Sequence, residues 1–380
     1  MFEPSRLGLA RRRRGITKTE LASLVNVNLR SITAYEGAEN PPSPEVVARL
    51  ARALGFPIEF FYSSQVELIR PTRASFRAIS GMAAKQRNVV LGAASFAFEV
   101  ADWISARFEL PTFEAPDLRS SEPEVAAVAI RAAWGLGDRP IKNMIHLLES
   151  RGVRIFSLVE EGRDIDAFSI WHAGKPYIFL NTMKTPERSR FDAAHELGHL
   201  VLHRHGSPQV LLHKHDESES DAGSTAEVPS RGREAEYEAN AFAAALLMPK
   251  GSVEAANIRM PTVETLIKAK RNWNVSVSAL AHRLYQTKQI SDWTYHSLFR
   301  QLSEQGYRTT EPNGVERETS QLLLKVFETL AKDGVGVENL AADLLLPVEE
   351  IEKLLFGLVT TRFSKTGKAI PTGWSVVSTN

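Results

Sequence analysis

The run His195-Glu196-Leu197-Gly198-His199 has the most chemically specific spacing in the chain. On a helix, two histidines four residues apart share one face about one turn apart, so both imidazoles can reach a single Zn²⁺. Glu196, beside the first histidine, is poorly aimed at such a metal but well placed to take a proton from an attacking water. The chemistry this permits is metal-assisted hydrolysis, in which zinc lowers the pKa of water and polarises the scissile carbonyl.

A catalytic zinc takes three protein ligands and keeps one position open. The chain contains no cysteine, which excludes disulfides, thiol nucleophiles, Cys-ligated zinc and iron–sulfur clusters. The third ligand must therefore be His, Asp or Glu. Downstream, Glu236-Tyr237-Glu238-Ala239-Asn240 opens an Ala-rich helix in which Glu236 and Asn240 form an i,i+4 pair on one face. Glu236 is the preferred ligand, with Asn240 orienting a histidine from behind, and Glu234 and Glu238 compete for the same place. His203, four residues after His199, either hydrogen-bonds to that ligand or packs beside it; as a fourth ligand it would close the site. Two His and one Glu hold Zn²⁺ or Mn²⁺ alike.

These residues need a scaffold. At roughly 150 residues per domain, 380 residues imply two or three domains. With 43% hydrophobic and 24% charged residues, the chain is an ordinary globular one rather than disordered or fibrous. Its longest uncharged apolar run, VVLGAASFAF, is far short of the ~20 residues that span a bilayer. No signal-peptide pattern follows the basic N-terminal residues, so a cytoplasmic protein without a membrane partner is expected.

Proline at N1 after Thr185 starts the helix that carries the histidines, which should run to about His203. Before it lie three strand-like segments, from Val153, from Ala167 and over Tyr177–Leu180, with a hairpin turn at Ala173-Gly174. The last of these segments could offer its edge to an extended peptide substrate. Between the two motifs, a polar stretch with Asp216, Glu217, Glu219, Asp221 and Glu227 reads as a solvated acidic loop, as do His205, His213 and His215 around it.

The first 63 residues read as four or five short helices. Thr17-Lys18-Thr19-Glu20 is a capping box, Asn28 an N-cap, and Ser43-Pro44 a second cap followed by proline at N1. The whole-chain charge of +1 offers no general case for nucleic acid, yet residues 1–31 hold seven Lys or Arg against two Glu.

Two resemblances carry further. Residues Arg190–His203 (RFDAAHELGHLVLH) followed by Glu236–Pro249 (EYEANAFAAALLMP) resemble the ImmA/IrrE metallopeptidases, whose third zinc ligand is the first Glu of an ExxxN or ExxxD element. That likeness extends over 126–312 and assigns the third ligand to Glu236. The stretch TKTELASLVNVNLRSITAYEGAENPPSPEVVARLARALG resembles the Xre/Cro-type helix-turn-helix, in which the second helix of the motif enters the major groove and the first crosses the backbone. The resemblance places Asn28, Leu29, Arg30 and Thr33 at bases, and Lys18 with Arg11, Arg12, Arg13 and Arg14 at phosphates. Lys18 stands where that family usually has Gln, which shifts the contact from base to phosphate.

The resulting expectation is a mainly α protein with an α+β core. Residues 1–63 form an all-α Xre/Cro-type helix-turn-helix domain, 64–125 a helical linker, and 126–312 a gluzincin-like metallopeptidase domain with a small sheet. Residues 313–360 form a C-terminal helical module and 361–380 an unstructured tail. In the C-terminal module, a second helix bearing Glu349, Glu350 and Glu352 would repel phosphate and suits dimerisation or protein contact. The expected partners are an operator in double-stranded DNA, a protein substrate such as a repressor or antitoxin, and a second copy of the chain as homodimer. The implied function is a transcriptional regulator with a zinc-dependent endopeptidase acting in a stress, prophage or toxin–antitoxin response. A non-proteolytic transcription factor with a structural or ligand-sensing zinc domain is the alternative.

Overall fold

The computed structural model describes residues 1–69, 83–119, 121–159, 166–203, 228–307, 310–359, 361–363 and 369–371. The acidic run over 216–227, with His205, His213 and His215, lies outside them. At the N-terminus, α1 (Pro4–Arg13), α2 (Lys18–Leu24), α3 (Leu29–Glu36) and α4 (Pro44–Leu54) enclose Leu7, Leu21, Val25, Ile32, Val47 and Leu50. Local chemistry sets their starts. The Thr17/Glu20 capping box closes both ways, and Asn28 Oδ1 accepts from Ser31 N at 2.7 Å. Ser43 precedes α4 as predicted, but its hydroxyl donates to Glu45 Oε2 at 2.7 Å rather than capping the backbone.

A long helix, α5 (Ala84–Ser105), buries Phe96, Phe98, Val100 and Trp103 between these helices and the rest of the chain. Next come α6 (Pro123–Ala133), α7 (Met144–Ser150), and the strands β1 (Arg154–Ser157), β2 (Ala167–His172) and β3 (Lys175–Leu180). The sheet order is β1-β3-β2, with β1 parallel and β2 antiparallel to β3. The turn between β2 and β3 puts Ala173 at φ 48° and Gly174 at φ 74°, the left-handed pair that a two-residue hairpin requires and that glycine adopts without Cβ strain. The expectation that Tyr177–Leu180 offers a free edge is corrected: β3 is bonded on both sides, and β2 is an edge strand. Order within a sheet is a tertiary property that a strand's own pattern does not encode.

Alternation across the sheet separates two faces. Phe156, Phe168, Tyr177 and Phe179 share one, where Phe98 of α5 meets Tyr177 with ring centroids 4.6 Å apart. Ser169 and Ile178, paired in register, share the other, over which α8 (Pro186–Gly198) packs. A π-helical turn, His199–His203, continues α8. Beyond it come α9 (Val228–Leu247), α10 (Lys250–Ala255), α11 (Val263–Ala269), α12 (Val277–Gln286) and α13 (Asp292–Glu304).

The C-terminal helices α14 (Gln321–Lys332), α15 (Val337–Leu344) and α16 (Val348–Leu355) pack on the rest of the chain. Two carboxylates tie them in reciprocally. Glu318 accepts from Met144 N (2.7 Å) and Ile145 N (3.1 Å) at the start of α7, while Glu149 at its end accepts from Gln321 N (3.1 Å) and Leu322 N (3.0 Å) at the start of α14. Each carboxylate satisfies helix donors that lack an intrahelical partner. Beyond α16, Thr361–Phe363 (β4) and Ala369–Pro371 (β5) pair antiparallel, where an unstructured tail was expected. The pairing supplies partners for backbone groups in a stretch that no compositional signal marks as strand.

The acidic α16 makes its protein contact within the chain. Glu350, 2% exposed, accepts from Arg13 Nε at 2.7 Å and from Arg14 Nη1 at 2.6 Å. Burial works against its charge, but the two guanidinium groups overcome that and hold the carboxyl below the ordinary range. Because the folded-state pKa is depressed, this contribution to stability is complete above the ~4.3 of an unfolded Glu. It is lost as the pH falls through the folded value. We expect Glu350→Ala, which strands a buried guanidinium, to cost about 3–5 kcal/mol in urea unfolding at neutral pH. Exposed Glu349→Ala should change little, and the gap between the two variants should shrink in acid.

Candidate metal centre

Helices α8 and α9 pack directly against each other, and the glycine of the His195–His199 run sits in that contact. A Cβ on Gly198 would lie 3.2 Å from Ala239 Cα and 3.1 Å from Phe242 Cδ1. Small residues on both helices thus bring the backbones near enough for side chains from the two to converge. His195, His199 and Glu236 do so, with one ligand atom of each within 4.8 Å of the others. The Nε2 atoms of the two histidines are 3.0 Å apart, and they lie 3.4 Å and 3.3 Å from the Glu236 oxygens. A tetrahedral zinc with bonds of about 2.0–2.1 Å needs ligands about 3.3 Å apart. The donor set and its spacing therefore fit the ion.

Charge distribution agrees. Burial drives the His199 imidazole down to about 3, toward the neutral form that binds metal. For His195 burial pulls down, but Glu236, Glu196 and Asp192 outweigh it and leave the imidazole above its ordinary value. Burial opposes the charge on Glu236, yet hydrogen bonds and charge from both histidines hold its carboxyl well below the usual range. Asn240 Oδ1 lies 3.1 Å from His195 Nδ1; the amide oxygen can only accept, so that nitrogen carries the proton and Nε2 is left free for metal. His203 sits behind His199, with its Nδ1 3.1 Å from His199 Nδ1 and its Nε2 2.7 Å from Glu238 Oε2. Glu238, a competitor for third ligand in the sequence, is thereby directed to His203. Glu234 is exposed.

Glu196 is buried under the sheet and accepts from Ser169 Oγ at 2.6 Å. Sequence reasoning missed Ser169, because its role depends on β2 register and on α8 crossing that face. Asp192 was missed as well: its carboxyl lies three residues before His195, and burial pushes it up to about 6 against the pull of Lys184 and Arg188. Its position one turn ahead of the first histidine was the available signal.

With this geometry in place, comparison with known families is decisive for the domain types. Residues 148–285 match the peptidase M78 family, described as the IrrE N-terminal-like domain, and residues 5–59 match a helix-turn-helix domain. The chain thus carries one segment similar to each of these two domains. A search of curated proteins returned no match. The second likeness points to DNA binding and the first to peptidase-type chemistry. Among the described residues no helix is long and apolar enough to cross a membrane.

Within the helix-turn-helix domain, Leu29, Arg30 and Thr33 are exposed on α3, opposite buried Ile32 and Ala34. Asn28 is exposed too, but its Oδ1 serves the cap. The arginine run departs from expectation. Arg11 is buried and pairs with Glu36 through Nε (2.5 Å) and Nη2 (3.0 Å); Arg13 and Arg14 turn inward to Glu350. Lys18 Nζ lies 3.5 Å from the same Glu36. These three arginines, expected at phosphates, have internal partners in the fold, with Glu36 of α3 and Glu350 of α16 facing their charge. Arg12 is half-exposed.

Replacing the bridging carboxylate tests the centre. Glu236→Gln should weaken zinc affinity by on the order of 100-fold or more in competition with a chromophoric chelator, with Glu234→Gln unchanged. Equal affinity for both variants would remove Glu236 from the site.

Proposed function

We propose that the protein is a DNA-binding regulator whose peptidase domain is a zinc-dependent endopeptidase acting on a regulatory protein, a repressor or antitoxin, or on the chain itself, in a stress, mobile-element or toxin–antitoxin response. The convergence of His195, His199 and Glu236 with a buried, tethered Glu196 carries the reading. In it, His195, His199 and Glu236 hold the metal, and Asn240 and His203 orient the two imidazoles. Zinc, when bound, lowers the pKa of the attacking water and polarises the scissile carbonyl; manganese suits the same donors.

The rest belongs to the chain. Glu196 takes the proton from the water at one carboxylate oxygen while Ser169 holds the other, then delivers that proton to the leaving amine nitrogen. The first transfer makes the water a nucleophile, and the second lets the peptide bond break. A purely structural metal site has no use for such a base. It would also need a fourth protein ligand, and His203, the nearest candidate, has its two nitrogens on His199 and Glu238. Both points favour the enzymatic reading over a ligand-sensing or structural zinc domain.

On the DNA side, Arg30 with Leu29 and Thr33 forms the base-reading face of α3, and the half-exposed Arg12 and Lys18 serve phosphates. Arg30→Ala should cost about 1–3 kcal/mol on a guanine-containing operator and far less on random DNA, measured by anisotropy at fixed salt.

The proteolytic reading is tested by incubating wild type and Glu196→Gln with zinc, operator DNA and repressors encoded nearby. Wild type should cleave one of them, and the variant should do so slower by on the order of 10²–10⁴-fold while shifting the DNA equally. If neither cleaves and both shift, the proteolytic reading fails.

A further inference from the structure

The hydrogen bonds behind His199 do not end at the next imidazole. His199 Nδ1 faces His203 Nδ1 at 3.1 Å, and His203 Nε2 faces Glu238 Oε2 at 2.7 Å. Glu238 is on α9, two residues from Glu236, so the chain of contacts leaves α8 and returns to the helix that supplies the third ligand. The π-helical turn His199–His203 directly continues α8 and carries both imidazoles. Such turns occur mostly as single insertions in helices and are frequent at functional sites.

Donor and acceptor rules allow only one proton arrangement that leaves His199 Nε2 free. A carboxylate accepts and cannot donate, so the hydrogen between His203 and Glu238 sits on His203 Nε2. Neutral His203 then has a lone pair on Nδ1, which accepts from His199 Nδ1–H. His199 is left with its lone pair on Nε2, the atom 3.3 Å from Glu236 Oε1 and 3.0 Å from His195 Nε2. Reversing either bond would put a proton on the atom that must bind metal.

We propose that His203 and Glu238 form a positioning relay, a carboxylate–imidazole–imidazole chain that fixes the tautomer and ring orientation of His199. The proposal rests on the metal-centre reading of His195, His199 and Glu236. A ligating histidine ordinarily donates its second N–H to a carboxylate or carbonyl. Here a second imidazole extends that link by one residue, and His195 uses the shorter link to Asn240. The two ligands of one motif are thus supported differently: one by an amide on α9, the other by a two-residue relay ending on α9. Glu238 is 37% exposed and His203 13%, so the far end of the relay reaches solvent while its near end is covered.

The test uses the full-length chain as wild type, His203→Gln, Glu238→Gln, the double variant and the control Tyr237→Phe. Zinc affinity is read by chelator competition, and zinc-free melting curves check that each protein is folded. Each single variant should bind zinc about 10–100-fold more weakly, and the double variant no more weakly than the worse single one, because either break severs the same chain. Tyr237→Phe should match wild type. Nitrogen-15 spectra of the zinc-free, histidine-labelled protein should show His199 protonated at Nδ1 and not at Nε2 in wild type, with that preference lost in the single variants, a signature that a merely structural role would not produce. Single variants within threefold of wild type, losses that add in the double variant, or a His199 not protonated at Nδ1 would each overturn the relay. Wild type that binds no zinc would instead overturn the metal-centre reading itself.

Discussion

The contact between α8 and α9 at Gly198 and Ala239 governs most of what surrounds it. The candidate ligand atoms must keep their mutual separations to within a few tenths of an ångström, yet the histidines and Glu236 come from separate helices more than thirty residues apart. Backbones that approach where a Cβ on Gly198 would already crowd Phe242 and Ala239 set that separation before any side chain is considered. Close packing makes the distance hard to vary, because interiors at this density resist both added and removed volume. The rest of the scaffold holds α8 in place around this contact. Glu187 in its first turn meets the buried Lys270 at 3.3 Å and Val315 N at 2.9 Å, and Arg190, three residues on, pairs with Glu318.

The same logic of buried charge explains why the C-terminal helices are part of the body and not an appendage. Helix α16 packs on α5 and β1, Glu350 reaches α1, and Phe356 O just beyond the helix accepts from Thr182 Oγ1 in the connection leading to α8. One short acidic helix therefore touches the N-terminal helices, the sheet and the connection leading to α8. A charge that reads as repulsion toward phosphate is, in the fold, the partner of two inward-turned arginines. The near-neutral total of the chain, +1, reflects this pairing: part of the basic N-terminal run is neutralised by Glu36 and Glu350 and is not presented to a ligand.

Local features were legible in the sequence because their physics is local. The capping box at Thr17, the cap at Asn28, the hairpin at Ala173-Gly174 and the i,i+4 histidines depend on residues a few positions apart, and each appears where spacing places it. Glu236 was preferred over its neighbours, and it is the carboxylate that converges with the two histidines. What stayed hidden depends on separation. The partner of Arg13 lies 337 residues away, so a run of four arginines looked like a phosphate-binding edge. The central position of β3 follows from strand order, which alternation does not encode. Ser169 could be found only once β2 register and the crossing of α8 were known together.

That last dependence shows how the centre is assembled. The histidine-bearing side of α8 is supported from α9, through Asn240 behind His195 and through the contacts of His203, whereas Glu196 is supported from the sheet, through Ser169. The candidate ligands and the candidate base are thus braced by different layers and share only the α8 backbone between them. Because side chains on a strand alternate faces, a one-residue slip of β2 against β3 would carry Ser169 to the Phe98 side of the sheet and take its hydroxyl away from Glu196. The aromatic pairing of Phe168 with Phe179, stacked at 4.5 Å and 9°, opposes that slip, since it would carry Phe168 to the face opposite Phe179. Hydrophobic register on the far side of the sheet therefore fixes the orientation of a carboxylate on the near side.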